Sequence, residues 1–135
     1  LAHWPDGRIK LYVTARVLAF RRAHPDLFAR GAYLPLACSG RKRNAVVAFA
    51  RHTPGDWAVT VVPRHTARLT TAGRLPLGES VWATTSLVLP PDAPTRWVNV
   101  LTGEELRALG SGRKRTLRLA AIFAHAPIAL LHANP

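Results

Sequence analysis

The apolar residues of this chain change their period near residue 31. Between Arg8 and His24, Ile9, Tyr12, Val13, Val17 and Phe20 recur at spacings of three and four. That spacing lines one face of a helix. Beyond Gly31 the apolar residues fall into short runs separated by turn formers, which is a strand pattern. One amphipathic helix followed by many short strands must bury its apolar face on the sheet or against another copy.

Asp6 precedes Gly7 and can cap this helix. Arg21 and Arg22 stand near its C-terminal end, where positive charge is favourable. Pro25 ends it after His24, and PDLF (25–28) adds one further turn. AYLPL (32–36) is a short extended piece, and SGRKRN (39–44) is a charged turn. AVVAFAR (45–51) and DWAVTVVP (56–63) read as strands joined by HTPG (52–55), a hairpin signal. Residues 65–80 form a longer connection. VWATT (81–85), SLVLP (86–90), RWVNVLTG (96–103), TLRLAAIF (116–123) and PIALLHA (127–133) complete the strand candidates. TGEELRAL (102–109) reads as one helical turn or a loop. The fold class expected is mainly β: an antiparallel β-sandwich preceded by one long helix.

Composition bounds the partners. Hydrophobic residues make up 48% of the chain, enough for one real core in 135 residues. No apolar run is long enough to span a bilayer, so no membrane partner is expected. The single cysteine, Cys38, cannot close an internal disulfide, and a reduced, cytoplasmic setting is expected. Net charge is +12, and only Lys10, Lys42 and Lys114 of the 19 cations are lysines. Such a balance raises the prospect of an anionic partner. The cations are spread along the chain, however, and the loop clusters at 41–43 and 113–115 lack the aromatic interleaving of a stacking platform. Nucleic acid is therefore disfavoured.

The residues of most catalytic chemistries do not assemble into a motif. The seven carboxylates sit beside Gly or Pro, in turns or at a helix start, where carboxylates cap backbone. His3, His24, His52, His65, His125 and His132 lack the close spacing of a helical zinc pair and read as surface or capping residues. Cys38 has no nucleophile signature and reads as a structural thiol. GSGRKR (110–115) lacks the full phosphate-loop pattern. Trp57, Trp82 and Trp97 lie in strand candidates and are expected in the core; the competing reading is a sugar-stacking platform. Neither a catalytic residue nor a metal or cofactor site is expected. Leu1 and the absence of methionine lead to the expectation that the chain is cut from a longer polypeptide.

WPDGRIKLYVTARVLAFRRAHPDLF (4–28) resembles the last barrel-helix region of malto-oligosyltrehalose synthases, members of the α-amylase superfamily. The resemblance continues in order through GAYLPL (31–36), VVAFAR (46–51), WAVTVVPR (57–64), LPLGESVWATTSLVLP (75–90), RWVNVLTGEE (96–105) and LAAIFAHAPIALL (119–131). The ordered series carries the match, because no piece is a catalytic signature. It implies that residues 1–30 are the last helix of a (β/α)8 barrel with its following turn. Residues 31–135 are then a C-terminal β-sandwich domain.

The implied parent is an intramolecular transglucosylase. It converts the reducing-end α-1,4 linkage of maltooligosaccharides to the α,α-1,1 linkage of trehalose. The family's aspartate nucleophile, glutamate acid/base and supporting aspartate match no position here. The fragment is therefore expected to be non-catalytic and to brace the barrel of the same polypeptide, meeting maltooligosaccharide only through the parent. Barrel active sites lie where the helices begin, so Arg8 and Lys10 are the candidate substrate contacts. Self-association through the exposed helix is a further expectation. A carbohydrate-binding module and a basic nucleic-acid-binding domain are the alternatives.

Overall fold

The computed structural model describes residues 7–133. Helix α1 (Arg8–Ala23) runs for 16 residues, with Gly7 as its N-cap at a φ of 79°. The expected cap, Asp6, lies outside the described residues. The His24 backbone N–H donates to the Phe20 carbonyl at 3.1 Å and closes the helix. Pro25 then opens α2 (Pro25–Ala29), where its missing N–H costs nothing. The chain turns into the first strand at Gly31. A Cβ there would lie 2.3 Å from the Leu27 carbonyl oxygen and 3.1 Å from that of His52, so only hydrogen fits.

The strands form two antiparallel sheets, as the alternation predicts. The larger contains β1 (Ala32–Leu36), β3 (Val46–Thr53), β4 (Asp56–Pro63), β6 (Arg96–Asn99), β7 (Glu105–Arg107) and β9 (Ala129–Ala133), in the order β1-β3-β4-β9-β6-β7. The smaller contains β2 (Cys38–Ser39), β5 (Ser86–Val88) and β8 (Thr116–Arg118), in the order β2-β5-β8. The β3–β4 hairpin is tighter than HTPG suggests. Thr53 pairs with Asp56, leaving only Pro54 and Gly55 in the turn, with Gly55 at a φ of 84°.

Three segments depart from the sequence reading. VWATT is not a strand: Val81 and Trp82 end helix α3 (Gly78–Trp82). Both side chains are buried, and adjacent strand residues could not both face one core. TLRLAAIF is a strand only to Arg118, then helix α4 (Leu119–Ile122) begins. Leu119, Ile122 and Phe123 share the three- and four-residue spacing that puts all of them inside. The Trp82 and Phe123 rings meet at 5.0 Å where α3 and α4 pack. TGEELRAL is neither helix nor loop throughout, because Leu106 pairs with Trp97 across β7 and β6.

The layers follow from the period-two alternation of β4 and β9. Trp57, Val59 and Val61 join Ala129, Leu131 and Ala133 on the face covered by the small sheet, where Leu87 and Leu117 complete the core. Ala58 and Leu130 face the other way and meet Phe20, Leu27 and Leu101. Both strands are thus buried on two faces, which explains why they read as nearly continuous apolar runs. Fully burying each large apolar side chain contributes about 1.5–3 kcal/mol. Among the described residues no helix is long and apolar enough to cross a membrane.

Candidate functional site

The N-terminal half of α1 lies over the β6–β7 turn and the segment entering β9. Two side chains fasten it there. The Tyr12 hydroxyl donates to the Leu101 carbonyl at 2.8 Å, and Arg16 Nη2 donates to the Val100 carbonyl at 2.8 Å. The receiving turn is itself fixed: buried Asn99 accepts the Leu101 N–H at its Oδ1 at 3.1 Å, and the Val100 N–H reaches the Leu130 carbonyl at 2.8 Å.

Between helix and sheet lies a cavity of about 390 Å³ with apolar walls from Ile9, Val13, Leu101 and Ile128. Arg8, Thr102 and His125 bring polar groups to it. Glu104 holds two of these in place, accepting the Thr102 hydroxyl at 2.8 Å and pairing with His125 Nε2 at 3.0 Å. Of the two residues expected to reach substrate, Arg8 lines this cavity. Lys10 is exposed on α1 and does not line it.

The outer side of α1 carries two exposed leucines among Lys10, Thr14, Arg21 and Arg22. Leu11 is 72% exposed and Leu18 is 48% exposed, while Val13, Val17 and Phe20 pack on the sheet. At about 100° per residue, Leu11 and Leu18 stand about 150° around the axis from the packed stripe. The helix therefore buries one apolar face and presents an exposed leucine pair on the other side.

Trp57, Trp82 and Trp97 settle into the core. Trp82 and Trp97 are fully buried, and their indole N–H groups donate to the Pro76 and Pro94 carbonyls at 2.8 and 2.9 Å. Trp57 is also buried and stacks on His52 at 4.2 Å. These three tryptophans thus offer no sugar platform; Trp4 lies outside the described residues. Burial pushes the Cys38 thiol from 9.0 up to about 11, which suits a structural side chain.

One cluster was not visible in the sequence. His24, at the end of α1, places Nδ1 3.0 Å from Asp56 Oδ2. His132, on β9, places Nε2 2.8 Å from Asp56 Oδ1. The three residues are 32 and 76 positions apart and come from three elements, so no local spacing could signal them. Only the alternation that sets His132 on the Leu130 face hinted at the meeting.

No protein-family model matches the chain. Proteins named maltooligosyl trehalose synthase, from the CDC 1551 and H37Rv strains of Mycobacterium tuberculosis, are 36% identical to it over 122 residues. The alignment takes in 90% of this chain, which spans only 13% of those relatives. A solved structure of a point mutant of maltooligosyltrehalose synthase from Arthrobacter ramosus superposes with a TM-score of 0.65 at 29% identity. It covers 94% of this chain and 14% of that one. By sequence and by fold, the chain matches the C-terminal portion of the maltooligosyltrehalose synthases.

Proposed function

We propose that this chain serves a maltooligosaccharide-converting glucosylmutase as its non-catalytic C-terminal segment, bracing the barrel that performs the transglucosylation. The observation that carries this reading is the exposed leucine pair on the outer side of α1. A helix with large aliphatic side chains on two sides fits between two layers, and here the sheet supplies only one. Leu11 and Leu18 then contact the preceding barrel, residues 1–30 being its last helix and turn. Arg8 and Lys10 stand at the helix end nearest the catalytic side, as positioning contacts for glucan or for acidic groups of the barrel. The reduced, cytoplasmic setting expected from Cys38 is part of the same reading. The burial of Trp57, Trp82 and Trp97 argues against an independent sugar-binding module.

The test compares the isolated chain with the longest open frame containing it. The isolated chain should leave maltopentaose unchanged, while the longer protein should yield product lacking a reducing end. Leu11→Glu with Leu18→Glu should lower the melting temperature of the longer protein and its activity. Conversion by the isolated chain, or a longer protein indifferent to both substitutions, would reject the proposal.

A further inference from the structure

We infer that His24, Asp56 and His132 form a binding site for one divalent first-row transition-metal ion, with zinc the natural occupant of such a donor set. The three ligand atoms, two imidazole nitrogens and a carboxylate oxygen, all lie within 4.8 Å of one another. Two histidines and one carboxylate, with a position left for water, are a recurrent zinc-binding combination. Tetrahedral zinc with bonds of about 2.0–2.2 Å sets its donors about 3.3–3.6 Å apart. Asp56 meets His24 through Oδ2 at 3.0 Å and His132 through Oδ1 at 2.8 Å, so an ion would enter by parting these two pairs and drawing the donors to that spacing.

The surroundings favour a site over a chance meeting. The two imidazole rings pack on each other at 4.5 Å, and Phe20 packs on both, at 4.3 Å from His24 and 4.9 Å from His132. Rings held this way lose little freedom on binding, and the Phe20 wall keeps the site's dielectric low. All three side chains keep 20–24% of their surface exposed, which leaves an entry path. A metal-ligating nitrogen must be unprotonated. With an ion bound, each ring would therefore carry its proton on the nitrogen that faces away from the metal. The ion would tie the end of α1 to β4 and β9, so its occupancy reports on whether the helix stays docked. This site is independent of the proposed glucosylmutase role.

The full chain, stripped with chelator, should be titrated with Co²⁺ and then Zn²⁺. One Co²⁺ per chain is expected, with visible d–d absorption that Zn²⁺ displaces and Mg²⁺ does not. In imidazole nitrogen NMR spectra, Co²⁺ should broaden His24 and His132 and spare His52, His65 and His125. His132→Gln and Asp56→Asn should each weaken Zn²⁺ binding by more than about 100-fold. Broadening centred on His125, no broadening, or unchanged affinity in folded variants would overturn the assignment. The spectra of the unsubstituted chain decide the matter if the variants do not fold.

Discussion

Removing the Phe20 ring tests whether the sheet holds α1. Phe20 is 9% exposed and clusters with Leu27, Ala58, Leu101 and Leu130. Its ring meets Phe28 at 5.8 Å edge-on and His132 at 4.9 Å. Phe→Ala substitutions in cores cost about 3–5 kcal/mol. The low end applies, because Val13 and Val17 are only partly buried beside it and the helix can settle into the gap. Unfolding entropy of about 2.1 cal/mol/K per residue gives about 0.28 kcal/mol/K for a chain of this length. A loss of about 3 kcal/mol therefore lowers the melting temperature by about 10 °C. Leu18→Ala is the control: this residue is 48% exposed on the opposite side, so its change should stay within about 0.5 kcal/mol, or about 2 °C. Far-UV circular dichroism melts of the isolated chain measure both. Equal shifts, or a Phe20→Ala shift below about 3 °C, would refute the claim that one face of α1 is docked and the other free.

Gly31→Ala should cost about 2–3 kcal/mol in urea unfolding, since its Cβ would meet the Leu27 carbonyl; a neutral result would mean that the junction of α2 and β1 is laxer than described. Cys38, with its thiol raised to about 11, should react with iodoacetamide at pH 8 about 100-fold more slowly in the folded chain than in urea. Folding holds this proton longer than the unfolded chain does. The thiol's contribution to stability is therefore intact below pH 9 and is lost as pH rises toward 11. An ordinary alkylation rate at pH 8 would show Cys38 to be accessible. Maltooligosaccharide should leave the fluorescence of the isolated chain unchanged if Trp57, Trp82 and Trp97 are core residues, so quenching would revive the sugar-platform reading.

Much of the fold was legible because local pattern and tertiary environment agreed. The spacing from Ile9 to Phe20 placed α1, and Pro54-Gly55 placed the longest hairpin. The misreadings share a cause. VWATT and LAAIF are rich in residues that suit strands, yet the core receives them as single helical turns, and only three-dimensional packing distinguishes the two. Glu105–Arg107 carries two charged residues around Leu106, so its pairing with β6 outweighs a weak local preference. At the candidate site, Arg8 was singled out through the family resemblance, which sets the start of this helix on the catalytic side of a barrel. Leu101, Thr102, Glu104 and His125 were not, because the cavity is made where a turn and a loop from distant parts of the chain meet α1.

The orientation of α1 is what gives its outer face meaning. An isolated amphipathic helix can roll on an apolar surface, and Leu11 and Leu18 would then present no fixed direction. Here the roll is prevented at both ends. Tyr12 and Arg16 each donate to a carbonyl of the 100–101 turn, and hydrogen bonds of that kind have directional demands that apolar contact lacks. At the other end, Phe20 is wedged against His132 while His24 is tied to Asp56 on β4. Rolling the helix to bury Leu11 and Leu18 would break all of these and expose Val13, Val17 and Phe20 in exchange. The docked helix is therefore a settled compromise of this chain. Its outer leucines are held at a fixed angle to the sheet.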